Sequence, residues 1–81
     1  MTYLFIEIIV QEGEFQHNHK ILTTTNCKNL EFAVEWYLAH FWGQGRRDFK
    51  GNWWWNEMHY GKVYTWEKLS KKDYQFLSKY L

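Results

Sequence analysis

Cysteine, proline and long apolar runs are what this chain of 81 residues has least of: one cysteine, no proline, and no run near a membrane span. The lone Cys27 excludes an intramolecular disulfide framework and a cysteine-based zinc site. The apolar run Tyr3–Val10 is short, interrupted by Glu7 and has no basic segment before it, so it does not read as a signal peptide. A membrane-crossing helix needs roughly 20 apolar residues, and none is present. These absences lead to the expectation of a cytoplasmic protein in a reducing compartment, with no membrane partner.

The motifs of common catalysis are missing too. There is no paired-carboxylate signature, no phosphate-cradling glycine loop and no nucleophile elbow. Gly43-Gln44-Gly45 lacks the rest of a dinucleotide fingerprint. Cys27 precedes a predicted helix, where a thiolate is favoured, but no base lies near it in sequence. The expectation is therefore a non-enzyme with no catalytic residue and no cofactor.

What is abundant is aromatic surface: six Trp, six Tyr and six Phe. Each buried aromatic removes roughly 150–250 Å² from water, which helps a chain this small to fold at all. Four of the six tryptophans fall within Gly51–Trp66, three of them consecutive at Trp53, Trp54 and Trp55. Successive strand residues point to opposite faces, so one sheet face cannot bury this run. Either both faces are covered or one is a binding surface.

Taken in order, Thr2–Gln11 reads as a strand with Leu4, Ile6, Ile8 and Val10 on one apolar face. Tyr3, Phe5, Glu7, Ile9 and Gln11 make a mixed face, as expected of a central strand or of one with a layer on each side. Glu12-Gly13 reads as the turn, glycine supplying the positive φ. Glu14–Thr24 returns as the second strand, with Ile8 opposite His17 and Ile6 opposite His19. A helix is predicted over Leu30–Trp42, capped by Asn29 and ended by Gly43. Leu30, Ala33, Val34, Tyr37, Leu38 and Phe41 form its apolar stripe, flanked by Phe32, Trp36 and His40. Residues 43–51 read as a mobile basic loop. A second hairpin is predicted from Asn52–Met58 and Lys62–Leu69, turning at His59–Gly61 and pairing Trp55 with Trp66. Trp53, Trp55, Tyr64 and Trp66 would then share one face, with Trp54, Met58 and Val63 on the other. A short helix over Lys71–Leu81 closes the chain, with Ser70 and Asp73 as its capping pair. The fold class expected is α+β, a single domain in the order β-β-α-β-β-α. Its four-stranded antiparallel sheet consists of two hairpins, with one main helix packed on it.

Two constellations bear on function. Arg46, Arg47, Phe49 and Lys50 precede the tryptophan run, and Trp, Tyr and Arg dominate protein-interface hot spots. With Trp53, Trp55, Tyr64 and Trp66 they form the candidate partner-binding set. The expected partner is another protein or complex, a second copy of the chain included. The alternative is single-stranded nucleic acid, bound by Arg46, Arg47, Lys50 and the Trp53–Trp55 run through charge and stacking. The plain reading is that the tryptophans are core and the arginines solvated. His17 and His19 share one strand face, but zinc needs further ligands, and only His40 or His59 could add them. No metal is expected. Residues 1–40 carry net −3 and residues 41–81 net +4, a weak polarity that suits an acidic partner for the second half. Small size, missing catalytic motifs and aromatic surface together suit a small phage- or mobile-element-type inhibitor of a host complex.

Overall fold

In the computed structural model, which describes residues 1–81, five strands form one antiparallel sheet. The elements are β1 (Thr2–Glu12), β2 (Phe15–Thr25), α1 (Leu30–Ala39), β3 (Arg46–Arg47), β4 (Trp53–Trp54), β5 (His59–Leu69) and α2 (Lys71–Leu77). The strands lie in the order β2-β1-β5-β4-β3.

β1 is an interior strand between β2 and β5, in line with its two apolar faces. Leu4, Ile6, Ile8 and Val10 are buried beneath α1, where they meet Val34 and Leu38. The first hairpin differs from expectation in register. Its loop is Gly13-Glu14 rather than Glu12-Gly13, so Ile8 pairs with His19 and Val10 with His17. The offset is two residues, and side chains alternate with period two. Phe15, His17, His19 and Ile21 therefore keep the helix-facing side they were assigned. Gly13 has φ +60° and Glu14 has no positive φ, as in a turn with glycine at its first central position.

Asn29 caps α1 as predicted, its side chain accepting from the Phe32 amide. The helix stops at Ala39, three residues short of the predicted Trp42, and His40 rather than Gly43 follows its last turn. Gly43 does take a left-handed φ of +90°, but beyond the helix end. Within the stripe, Val34 and Leu38 are buried, and Leu30, Tyr37 and Phe41 pack partly buried around them.

The second half of the sheet departs most from expectation. Gly61 lies within β5 and is not a turn residue. β5 pairs with β1 over almost its whole length, from Tyr3 opposite Leu69 to Glu12 opposite His59. The actual turn is Trp55–Met58, where the Asn56 side chain accepts from the amides of Met58 and His59. Trp55 is consequently not paired with Trp66, which faces Ile6. Gly61 has a different use. A Cβ there would come within 2.8 Å of the Trp55 ring and 2.9 Å of the Ile9 carbonyl oxygen, so glycine lets the indole lie on the backbone.

A shift in register between Glu7 and Ile8 leaves Tyr64 without a partner on β1. Tyr64 is thus the extra residue of a bulge and is exposed, and it leaves the predicted aromatic face. Val63 pairs with Ile8 and packs on the core, so it belongs with Trp53, Trp55 and Trp66 and not on the opposite side.

The predicted C-terminal helix is present but shorter, over Lys71–Leu77. Ser70 caps it by accepting from the Asp73 amide. None of its residues is buried, and its contact with the sheet is the Tyr74 ring on Tyr3, with centroids 4.8 Å apart. It covers one end of the second sheet face. Phe5, Ile9, Leu22 and Tyr60 are left half-buried on the remainder. No helix is long and apolar enough to cross a membrane.

Candidate functional site

The segment expected to be a mobile loop contains a strand. Arg46 pairs with Trp54 and Arg47 with Trp53, making a small hairpin at the sheet edge. Asp48 builds its tip. One carboxylate oxygen accepts from the amides of Lys50 and Asn52, and the other from the Asn52 side chain and the Trp54 indole N–H. The Asp48 amide in turn donates to the Asn52 carbonyl at 2.9 Å. Gly51, at φ +88°, supplies the left-handed residue such a tight return needs. These bonds favour the charged carboxylate, and the Trp54 indole does so most. Desolvation opposes them only in part, and the Asp48 pKa falls to about 2. Asp48 is therefore an anion at neutral pH, and it offsets one of the three local cations.

Phe49 stands at this tip and is fully exposed, the most exposed large apolar residue in the chain. Lys50 is beside it, also exposed. Phe49, Lys50, Asp48, Asn52, Trp54 and Tyr60 line a shallow concavity of about 250 Å³. Its floor is the Trp54–Tyr60 pair, stacked with ring centroids 4.3 Å apart.

The other predicted residues are placed differently. Trp53 and Trp55 turn toward α1, half-buried against the core. The Trp53 indole N–H donates to Glu35 and that of Trp55 to the Leu38 carbonyl. Trp66 lies on the same face, packed on the core. The two arginines diverge, because neighbouring strand residues point to opposite faces. Arg47 shares the helix side with its partner Trp53, and Arg46 shares the other side with Trp54. The structure thus brings Phe49 and Lys50 together beside Trp54 and Tyr60, sets Arg46 across from Trp54 on the neighbouring strand, and places Arg47, Trp53, Trp55 and Trp66 on the helix side. Tyr64 lies on the bulge, apart from both groups.

Sequence reasoning missed Asp48 and Tyr60 as parts of this tip, and had Trp54 only as one of the Trp53–Trp55 run in the nucleic-acid alternative. The signal was an aspartate two residues before lysine and four before asparagine, a spacing at which the side chain can fold back on the backbone.

On the helix side, Phe32 and Trp36 on α1 and His40 just after it are exposed, with the Trp36 and His40 rings stacked at 4.3 Å. They border a groove of about 590 Å³ that runs to Arg47 and Trp53 and carries Glu31 and Glu35. His17, His19 and His59 lie around Phe41 and Trp42, but no group of three potential ligands converges to hold a metal ion. Cys27 is half-buried, and its thiol lies 3.4 Å from the Asn29 carbonyl oxygen.

No protein-family model matches the chain, and no curated protein or solved structure matches it.

Proposed function

We propose that the protein is a non-catalytic protein-binding module that docks on another protein through the β3–β4 tip, with Phe49 as its anchor. The observation that carries this reading is a fully exposed phenylalanine on a turn fixed by Asp48. Leaving a large apolar side chain in water gains nothing for folding. Holding it on a pre-formed turn lowers the entropy lost on docking. Buried aromatics ringed by polar groups are where interface energy concentrates. Arg46 and Lys50 supply the polar rim and favour an acidic patch on the partner.

The second reading is single-stranded nucleic acid. It is favoured by the Trp54–Tyr60 stack beside Phe49 and Lys50, which offers aromatic planes next to a cation. Against it, Arg46 and Arg47 lie on opposite faces and Asp48 stays ionised between them and Lys50. That divides the local positive charge between two faces and sets an anion among the cations.

The test is a photo-crosslinking residue at position 49, used in the native host with and without nuclease. Protein docking predicts a discrete protein adduct that survives nuclease. An adduct that disappears with nuclease, together with tryptophan quenching by oligonucleotide that fades with salt, would establish the second reading instead.

A further inference from the structure

The two edges of the sheet are not alike. β3 is two residues long and carries arginines, so it offers little backbone to another strand. β2 is eleven residues long, and its outer edge has no strand beside it. It contains no proline, no bulge and one charged residue that does not need protonation, Lys20. Such an edge is a template for a further strand, and natural sheets usually block it.

We infer that β2 pairs with β2 of a second copy in an antiparallel two-fold arrangement centred on His17, making one continuous sheet. The ladder alternation and the symmetry of the pairing support this. Glu12 and Phe15 flank a two-residue turn, so they form a hydrogen-bonded pair, and the ladder then alternates along the strand. Gln16, Asn18 and Lys20 therefore direct their N–H and C=O groups outward, free for a new ladder. An antiparallel pairing of a strand with itself is self-complementary, as a two-fold interface must be.

Charge selects the register. Centring on Lys20 would set lysine against lysine. Centring on His17 puts Glu14 opposite the partner's Lys20, and does so twice. Within the strands it also puts Gln16 opposite the partner's Asn18 and Phe15 opposite the partner's His19, while Glu14 reaches the partner's Lys20 from the turn just before β2. Phe15 is 71% exposed on the single chain, and this pairing gives its ring an aromatic neighbour. The contact lies at the opposite edge of the sheet from Phe49 and does not depend on the role of that tip.

Register is read by disulfide trapping. Phe15→Cys, His17→Cys and His19→Cys are made singly in a Cys27→Ser background and oxidised. Opposed non-hydrogen-bonded residues have Cα atoms about 4.5 Å apart, within disulfide reach. Only His17→Cys is expected to give a covalent dimer. No cross-link at 17, or equal cross-linking at all three positions, would overturn the inference. Sedimentation equilibrium of the unmodified chain, from micromolar to millimolar concentration, gives the second readout. Lys20→Glu should weaken the dimer about tenfold, and Glu14→Lys with Lys20→Glu should restore it. A native far-UV circular dichroism spectrum and a cooperative unfolding transition would show that each variant is folded. A strict monomer across that range, or no rescue by the charge swap, would also refute the pairing.

Discussion

The indole N–H of Trp53 donates to Glu35 Oε2 across 2.6 Å, joining the short strand β4 to the helix α1. The two residues are eighteen positions apart, and this bond and the Trp55 indole bond to Leu38 fasten the aromatic run beneath α1. Glu35→Ala would leave a half-buried donor unmatched, at a cost of about 1–3 kcal/mol. Glu35→Gln keeps an acceptor and should cost less. Urea unfolding of both variants and of Trp53→Phe, combined as a double-mutant cycle, measures the coupling.

Gly61 should tolerate no side chain. A Cβ there meets the Trp55 ring and the Ile9 carbonyl oxygen, and the carbonyl cannot move without disturbing β1. Gly61→Ala is expected to destabilise by about 1–3 kcal/mol, as overpacking does. Gly43→Ala meets no atom within 4 Å, so only its positive φ opposes it. Thermal unfolding of the pair separates crowding from backbone strain.

Asp48 makes the tip sensitive to acid. Its pKa is lowered from 3.8 to about 2, so the bonded carboxylate favours the ordered tip at pH above the unfolded value. That contribution is lost as pH falls through about 2. Amide exchange at Lys50 and Asn52 should remain slow down to about pH 4 and accelerate below it, relative to β1 amides. Asp48→Ala should show the fast exchange at every pH.

The first hairpin and both helices were legible because local signals specify them. Alternation marked β1, Asn29 and Ser70 marked the helix starts, and period two protected the faces from an error in register. The second half was less legible. Gly61 looked like a turn residue because glycine usually serves turns, yet here it admits the Trp55 ring. The real turn is closed by Asn56, whose hydrogen bonds leave little trace in composition. The pairing of β5 with β1 is a long-range choice that no local pattern encodes. At the candidate site, Arg46, Phe49 and Lys50 were visible as residue types. Their fixed presentation by Asp48 was not, because it depends on bonds to Trp54 and Asn52. Whether the aromatic run was core or surface turned on geometry: Trp53 and Trp55 face the helix, and Trp54 lies beside the tip.

Core and tip should respond unequally to truncation. Ile8 has no exposed surface, so Ile8→Ala should cost about 2–5 kcal/mol. Phe49→Ala removes a side chain that is fully exposed, and stability should change by no more than about 0.5 kcal/mol. Chemical denaturation of the two variants checks both expectations.

The most direct measurement is the affinity of the wild-type chain and of Phe49→Ala for the protein recovered by the position-49 cross-link, with unfolding midpoints recorded for both. Docking through the tip predicts that Phe49→Ala binds at least about 30-fold more weakly, the ~2 kcal/mol of an anchor residue, at an unchanged midpoint. Undiminished affinity in Phe49→Ala would contradict it.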